Sequence, residues 1–323
     1  MRERALIDAV AARLGTRGSR LLVGPGDDAA VVRPSGVEVT SVDVRAEGTH
    51  FRRTTHSAAD IGHAALGSAL SDVAAMGATP GEVYVGMALP AEVDEAFVLE
   101  LVGAMEELAR QTGAVIAGGD VVAAATLVLS VTVTGWAQDA GHVATRTGAR
   151  PGDLVGVTGE LGGSGAGLLL LEGTEAELDA AAREHLLARH RRPDPRLDAG
   201  RALVEAGVSA MIDVSDGVAT DAGHLARSGA VALVIELPRL PLAPGVAAVA
   251  RAAGRDPGEL AAGAGEDYEL LFTAPPPHRE AVEDAARGAS TPVTWLGRVE
   301  AGAGVRLLDA LGRTVVLEGY EHR

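Results

Sequence analysis

Val23-Gly-Pro-Gly-Asp-Asp-Ala-Ala-Val-Val32 sets two carboxylates, Asp27 and Asp28, between a Gly-Pro-Gly turn and an apolar run. No arginine lies between Arg20 and Arg33 to balance them. Adjacent like charges against apolar chain have two physical resolutions. Either the pair faces water at the tip of a turn, or a cation neutralises it. The stretch alone leaves both open, and the rest of the chain decides between them.

The formal net charge is -16, and the chain contains no lysine; all 28 basic residues are arginine. That balance argues against nucleic acid as a general partner. It also removes the lysine of a P-loop or of a kinase-type strand and excludes a Schiff base. A protein this acidic that handles phosphates without lysine needs metal ions to invert the local field. The absence of cysteine excludes disulfides, thiolate ligands and cysteine nucleophiles, and fits a cytoplasmic protein. At 323 residues, 47% of them apolar, the chain is long enough for two domains with separate cores. No apolar run approaches the roughly 20 residues of a membrane helix. The first residues, Met1-Arg-Glu-Arg-Ala-Leu-Ile-Asp8, lack the apolar segment of a secretory signal. With only two Trp, three Tyr and three Phe, the cores must be built from Ala, Val and Leu.

Outward from the acidic pair, Arg4–Leu14 has helical spacing and stops at Gly15, and Val37–Val44 alternates as a strand that delivers Asp43. An Ala-rich helix runs from about Ser57 to Met76 and puts Ser68 and Asp72 on one face. A strand Val83–Leu89, a helix Val93–Thr112, a short strand Ala114–Ala117 ending in Gly118-Gly119-Asp120, and a strand Leu127–Ala137 follow. This order predicts an α+β N-terminal domain with a mostly antiparallel sheet and helices on one face. Thr147-Gly-Ala-Arg-Pro-Gly-Asp153 reads as a linker, giving domains 1–147 and 153–323. The second, an α/β domain, is expected to hold strands at 154–158, 210–214, 231–237, 268–273 and 293–299, with helices between them.

Seven acids sit at strand ends or on small-residue helices without a neighbouring base: Asp27, Asp28, Asp43, Asp72, Asp120, Asp213 and Asp216. Singly each reads as a turn or cap residue; as a set they form an oxygen-rich ligand pool suited to Mg²⁺. Zinc is not indicated, since cysteine is absent and no helix carries a His-x-x-x-His or Glu-x-x-His pair. Gly159-Glu-Leu-Gly-Gly-Ser-Gly-Ala-Gly167 is either an anion cradle at a helix start or a tightly packed turn, and it is not a Walker A sequence. Arg146 is either a bidentate phosphate ligand or a surface residue. His50 is either a hydrogen-bonding group near Asp43 or a structural histidine.

Taken together, Gly26-Asp-Asp-Ala-Ala30, Asp43-x-x-x-Glu47-Gly-x-His50-Phe51, Ser71-Asp72-x-x-Ala-Met-Gly-Ala78, Gly118-Gly-Asp120, Arg146-x-Gly-Ala-Arg-Pro-Gly-Asp153, Asp213-Val-Ser-Asp-Gly217 and Gly265-Glu-Asp-Tyr-Glu-Leu-Leu-Phe272 resemble the thiamine-monophosphate kinase family. The resemblance runs from about residue 20 to the C-terminus and is specific as a set. It implies the aminoimidazole ribonucleotide synthetase-like fold. In that fold an N-terminal ATP- and Mg²⁺-binding domain pairs its sheet across a homodimer, and a C-terminal domain closes over the substrate. It implies ATP-dependent conversion of thiamine monophosphate to thiamine diphosphate with several Mg²⁺ ions, with no nucleic acid or membrane partner. Carried over residue by residue, Asp28, Ser41, Val42, Asp43, Asp72, Asp120, Asp213 and Asp216 correspond to metal ligands. Gly119, Asp120, Arg146 and Ser215 correspond to nucleotide contacts, and His50, Glu266 and Tyr320 to contacts with the thiamine phosphate. Some positions depart from the pattern: Val121 and Val122 follow Gly-Gly-Asp where Thr is usual, and Ala264 replaces the first glycine of Gly-Gly-Glu-Asp.

Chemistry fits that implication independently. The acceptor's phosphate has a second pKa near 6, so its oxygen is already anionic at pH 7 and no general base is expected. Catalysis reduces to holding two anions in line and neutralising charge. The alternatives are another ATP-dependent synthetase of the same superfamily, or a non-catalytic nucleotide-binding regulator. The missing cysteine disfavours the hydrogenase-maturation and selenophosphate branches of the first, and the full acidic set argues against the second.

Overall fold

The period-two pattern of Val37–Ala46 and the β-branched run Val128–Ala137 become a paired edge and inner strand of one sheet, and the Gly-punctuated strands after Asp153 build another. The computed structural model describes residues 3–15, 19–25, 27 and 29–317. Asp28 and Tyr320 lie outside the described residues. The chain divides into two compact units, 1–73 with 78–140, and 74–77 with 141–323. Among the described residues no helix is long and apolar enough to cross a membrane.

The first unit contains helix α1 (Glu3–Ala11), the short strands β1 (Leu21–Val23) and β2 (Val31–Val32), strand β3 (Val37–Ala46), helix α2 (Ala58–Ala75), strand β4 (Thr79–Leu89), helix α3 (Glu95–Thr112), and strands β5 (Val115–Ala123) and β6 (Val128–Ala137). Its main sheet has the order β3-β6-β4-β5, antiparallel except for the parallel β4–β5 pair. Ser57 and Asp60 start α2 with a reciprocal capping box, each side chain accepting the other's backbone N–H at 3.1 Å. The small residues of α2 allow close packing: Leu66, Leu70 and Val73 are buried, as are Val98, Leu101 and Met105 of α3 and Val83, Val85, Val131 and Val133 of the sheet. The other face of the sheet leaves Val42, Val44 and Val122 exposed.

The second unit contains β7 (Leu154–Thr158), α4 (Gly163–Leu171), α5 (Ala180–Arg191), α6 (Leu197–Glu205), β8 (Ala210–Asp213), α7 (Val218–Gly229), β9 (Ala232–Glu236), α8 (Val246–Ala252), α9 (Pro257–Gly263), β10 (Leu270–Ala274), α10 (Arg279–Gly288), β11 (Val293–Glu300), β12 (Gly304–Leu308) and β13 (Thr314–Val315). They form a mixed seven-stranded sheet, β13-β12-β9-β11-β7-β10-β8, in which β12 and β9 are parallel. Its core joins Val155, Val157, Ile212, Leu233, Leu271 and Leu296 of the strands to Val218, Ala222 and Leu225 of α7. A second apolar cluster gathers α4, α5, α8 and α9 around Leu170, Leu186, Val249 and Leu260. Helices α8 and α9 and strands β12 and β13 are elements not predicted from the sequence. The glycine-rich stretch is itself helical from Gly163, earlier than its composition suggests.

Candidate functional site

The predicted site residues fall into a group in each unit. In the first, Ser41, Val42 and Asp43 are consecutive on β3, so their side chains alternate between the sheet's faces. Ser41 and Asp43 are half-buried, while Val42 is 59% exposed. The Ser41 hydroxyl donates to Oδ2 of Asp72 on α2 at 2.5 Å, which joins the two expected ligand positions directly. Asp43 Oδ1 accepts the Val44 amide at 2.8 Å. Just beyond β3 the backbone turns through Gly48, and His50 folds back so that Nδ1 accepts the Ala46 N–H at 3.1 Å. An amide can only donate, so in the neutral ring the proton sits on Nε2, and His50 offers an N–H there. Buried Arg45 donates to the His50 carbonyl at 3.3 Å and fixes the same turn.

Asp120 lies elsewhere. Strand β5 continues through Gly118-Gly119-Asp120 instead of ending there, and Asp120 pairs with Gly86 of β4. Gly119 is required by that pairing, because a Cβ would lie 2.2 Å from the Val85 carbonyl oxygen. Asp43 registers with Val131, Val131 with Val85, and Val85 with Gly119. Asp120 therefore sits on the opposite edge of the sheet from Asp43, on the order of 14 Å away at about 4.8 Å per strand. One ion cannot touch both. Asp120 instead joins Asp27, Gly118 and Gly119 in lining a cavity of about 770 Å³, whose other walls are largely apolar, among them Val10, Leu14, Val102, Met105 and Ile116.

In the second unit β8 ends in buried Asp213, and the chain turns through Val214-Ser215-Asp216-Gly217 into α7. Asp221, in the first turn of α7, is 1% exposed, and its Oδ2 accepts the Asp216 amide at 3.1 Å. Donor atoms of Asp216, Asp221 and His224 lie within 4.8 Å of one another. Burial, and then the neighbouring charges of Asp213 and Asp216, push the Asp221 carboxyl up to about 8, although Arg146 pulls the other way. His224 is held below its usual value by burial and by Arg227 and Arg146. The Arg227 guanidinium meets its Nδ1 at 2.9 Å. A guanidinium only donates, so Nδ1 accepts and Nε2 carries the proton. His224 is then an N–H donor beside the acids, and the ligand set of this cluster is all oxygen. Exposed Arg146 acts electrostatically on both Asp221 and His224. Asp221 was missing from the expected set. The signal was its spacing with Val218, Ala222 and Leu225, which places an acid on the buried face of the helix.

Glu266 and Tyr268 hold left-handed backbone, φ 63° and 51°, on either side of Asp267. The Glu266 amide donates to the Ser215 carbonyl at 2.8 Å and the Tyr268 amide to the Val214 carbonyl at 2.9 Å, so this loop runs against the acidic turn. Gly265 permits the approach; a Cβ there would lie 2.3 Å from the Ser215 carbonyl oxygen. Glu266 Oε2 is 3.8 Å from Nδ1 of buried His190. The glycine-rich stretch starts α4, and the anion that its N–H groups meet is a side chain of the same protein. Its Gly162 and Ser164 amides, 2.6 and 3.1 Å away, already donate to the buried Asp267 carboxylate. Burial pushes Asp267 up to about 6, against the downward pull of Arg189 and the two amides.

The N-terminal domain model of AIR synthase related proteins matches residues 26–137, and the corresponding C-terminal domain model matches residues 150–309. A thiamine-monophosphate kinase of Bacillus subtilis (strain 168) is 35% identical over 309 residues, covering 93% of each chain. The crystal structure of thiamine-monophosphate kinase from Stenotrophomonas maltophilia K279a superposes with a TM-score of 0.84 at 35% identity, covering 96% of this chain and 97% of that one. AaThiL complexed with AMPPCP and TMP superposes at 0.80 with 31% identity, over 100% and 99%.

Proposed function

Since the chain belongs to the thiamine-monophosphate kinase family, we propose that it transfers the γ-phosphoryl group of ATP to the phosphate of thiamine monophosphate, giving ADP and thiamine diphosphate. A relative bound to AMPPCP, an ATP analogue, and TMP supports the substrate pair. The observation that carries the reading is the convergence of Asp213, Asp216 and Asp221 at the end of β8, where burial first and then the charges of Asp213 and Asp216 push Asp221 up to about 8. Three oxygen donors that repel one another fit a hard divalent cation.

Asp213, Asp216 and Asp221 would hold Mg²⁺ in the second unit, with Ser41, Asp43 and Asp72 as a separate set in the first. By resemblance, Asp28, the Val42 carbonyl and Asp120 belong to the metal-binding residues as well. Bound Mg²⁺ would shield the charge that builds between donor and acceptor phosphates. The protein's own residues do the rest. The apolar walls beside Gly118, Gly119 and Asp120 suit an adenine ring. Arg146 and Ser215 offer donors to phosphate oxygens. His50 presents its Nε2–H to an anionic group of the acceptor, and Glu266 matches the thiazolium cation, with Tyr320 assigned beside them by resemblance. No residue removes a proton, because the acceptor oxygen is already ionised at neutral pH.

The exposed Val42, Val44 and Val122 on the open sheet face support a homodimer paired through the first unit. Sedimentation at the monomer mass would contradict that pairing. The absence of cysteine fits a cytoplasmic enzyme. The activity is tested by following ADP release with thiamine monophosphate or thiamine as acceptor, with and without Mg²⁺. Turnover only with the phosphate, and only with Mg²⁺, is expected; no Mg²⁺-dependent turnover with either acceptor would refute the reading.

A further inference from the structure

Glu266 is the acid assigned to the acceptor, yet it holds a backbone conformation that non-glycine residues rarely adopt, and so does Tyr268 two positions on. Left-handed conformations at non-glycine residues persist only where the surroundings over-determine them. Between the two lies Asp267, and every polar atom the loop turns inward from this residue is anchored. Its carboxylate accepts the Gly162 and Ser164 amides at the start of α4, and its carbonyl accepts Arg189 Nη2 at 2.7 Å. The residue is buried. Arg189 is itself held by Glu269 at 2.9 Å, so the carbonyl anchor is as fixed as the carboxylate anchor.

Resting on the reading of Glu266 as an acceptor contact, we propose that Asp267 is a positioning residue for thiamine monophosphate. Its carboxylate locks the 265–268 loop to the first turn of α4, and that lock sets the direction of the Glu266 side chain. The structure offers a reason for the residue type. Two amides at 2.6 and 3.1 Å reach two different oxygens of one side chain, an arrangement that a carboxylate satisfies completely. Asparagine would turn an NH₂ group against one of the N–H donors. The loop would then relax towards ordinary backbone angles and carry Glu266 with it.

The test is a double-mutant cycle on the full-length protein, with Glu266→Gln, Asp267→Asn and both together, read as the KM for thiamine monophosphate and for ATP. Glu266→Gln and Asp267→Asn should each raise the acceptor KM about tenfold and leave the KM for ATP unchanged, and the double variant should be no worse than either single one. A merely structural Asp267 would lower stability and kcat without that selective, non-additive change in KM. An unchanged acceptor KM in Asp267→Asn, or effects that multiply in the double variant, would overturn the proposal. An unchanged acceptor KM in Glu266→Gln would instead refute the acceptor role of Glu266, and absence of wild-type turnover would refute the kinase reading. If Asp267→Asn does not fold, Asp267→Ser, which keeps an acceptor for one of the two amides, replaces it in the same cycle.

Discussion

Glu269 and Asp221 are both buried acids of the second unit, and their surroundings differ in how the charge is met. Glu269 receives Arg196 through two bonds, Nε at 2.8 Å and Nη2 at 2.6 Å, with Arg189 at 2.9 Å and the Thr158 hydroxyl at 2.8 Å. Every lone pair that the fold turns inward has a cationic or hydroxyl partner. Asp221 feels the charges of two further acids, Asp213 and Asp216, and Arg146, which opposes them, stands exposed. The same chain thus packs two arginines directly against an acid that is part of the framework, and sets Asp221 among other acids at the end of β8. Buried charge without a protein counter-ion is stable only if the group is neutralised, by a proton or by a bound cation. That contrast separates framework from site within one unit.

The contrast can be broken from the framework side first, where the larger effect is expected. Glu269→Gln leaves two arginines without their buried partner and should destabilise the protein by about 3–5 kcal/mol. Thermal unfolding should show a clear drop in Tm. A Tm equal to that of the wild type would mean that Glu269 is not a framework acid, and the comparison would lose one of its halves.

Much of this division was legible beforehand, in different degrees. The strands of the first unit follow from alternation and β-branching in Val37–Ala46 and Val128–Ala137, and the acids at Asp43, Asp213 and Asp216 are visible because each stands where an apolar strand ends or alternates. Helices α8 and α9 are seven residues each and rich in Ala and Gly, too short to display a period. Asp120 looked like a loop residue because Gly118-Gly119 reads as a turn. The glycines serve instead to bring β5 against β4. Asp221 was hidden because a single acid in a first helical turn usually complements the helix dipole in solvent. Asp267 was visible as part of Gly265-Glu-Asp267, but its partners Gly162 and Ser164 are more than a hundred positions away, and no local pattern reports them. Short-range chemistry could be read from the chain; pairing across the unit could not.

In the folded protein Asp221 titrates near 8, against 3.8 as its ordinary value, so between these limits the folded state holds a proton that the unfolded state has lost. Stability from this group is therefore greatest at low pH and falls as the pH rises towards 8. Asn at this position can still accept the Asp216 amide and carries no charge to bury.

The most direct measurement is the Tm of the metal-free protein at pH 6 and pH 8, with and without Mg²⁺, for the wild type and Asp221→Asn side by side. If crowded acids at the end of β8 await a cation, the wild-type Tm should fall by roughly 4 °C or more from pH 6 to pH 8. Mg²⁺ should restore it at pH 8, and the Asn variant should show a smaller pH slope and a smaller Mg²⁺ response. Equal slopes and equal Mg²⁺ responses in the two proteins would contradict the account.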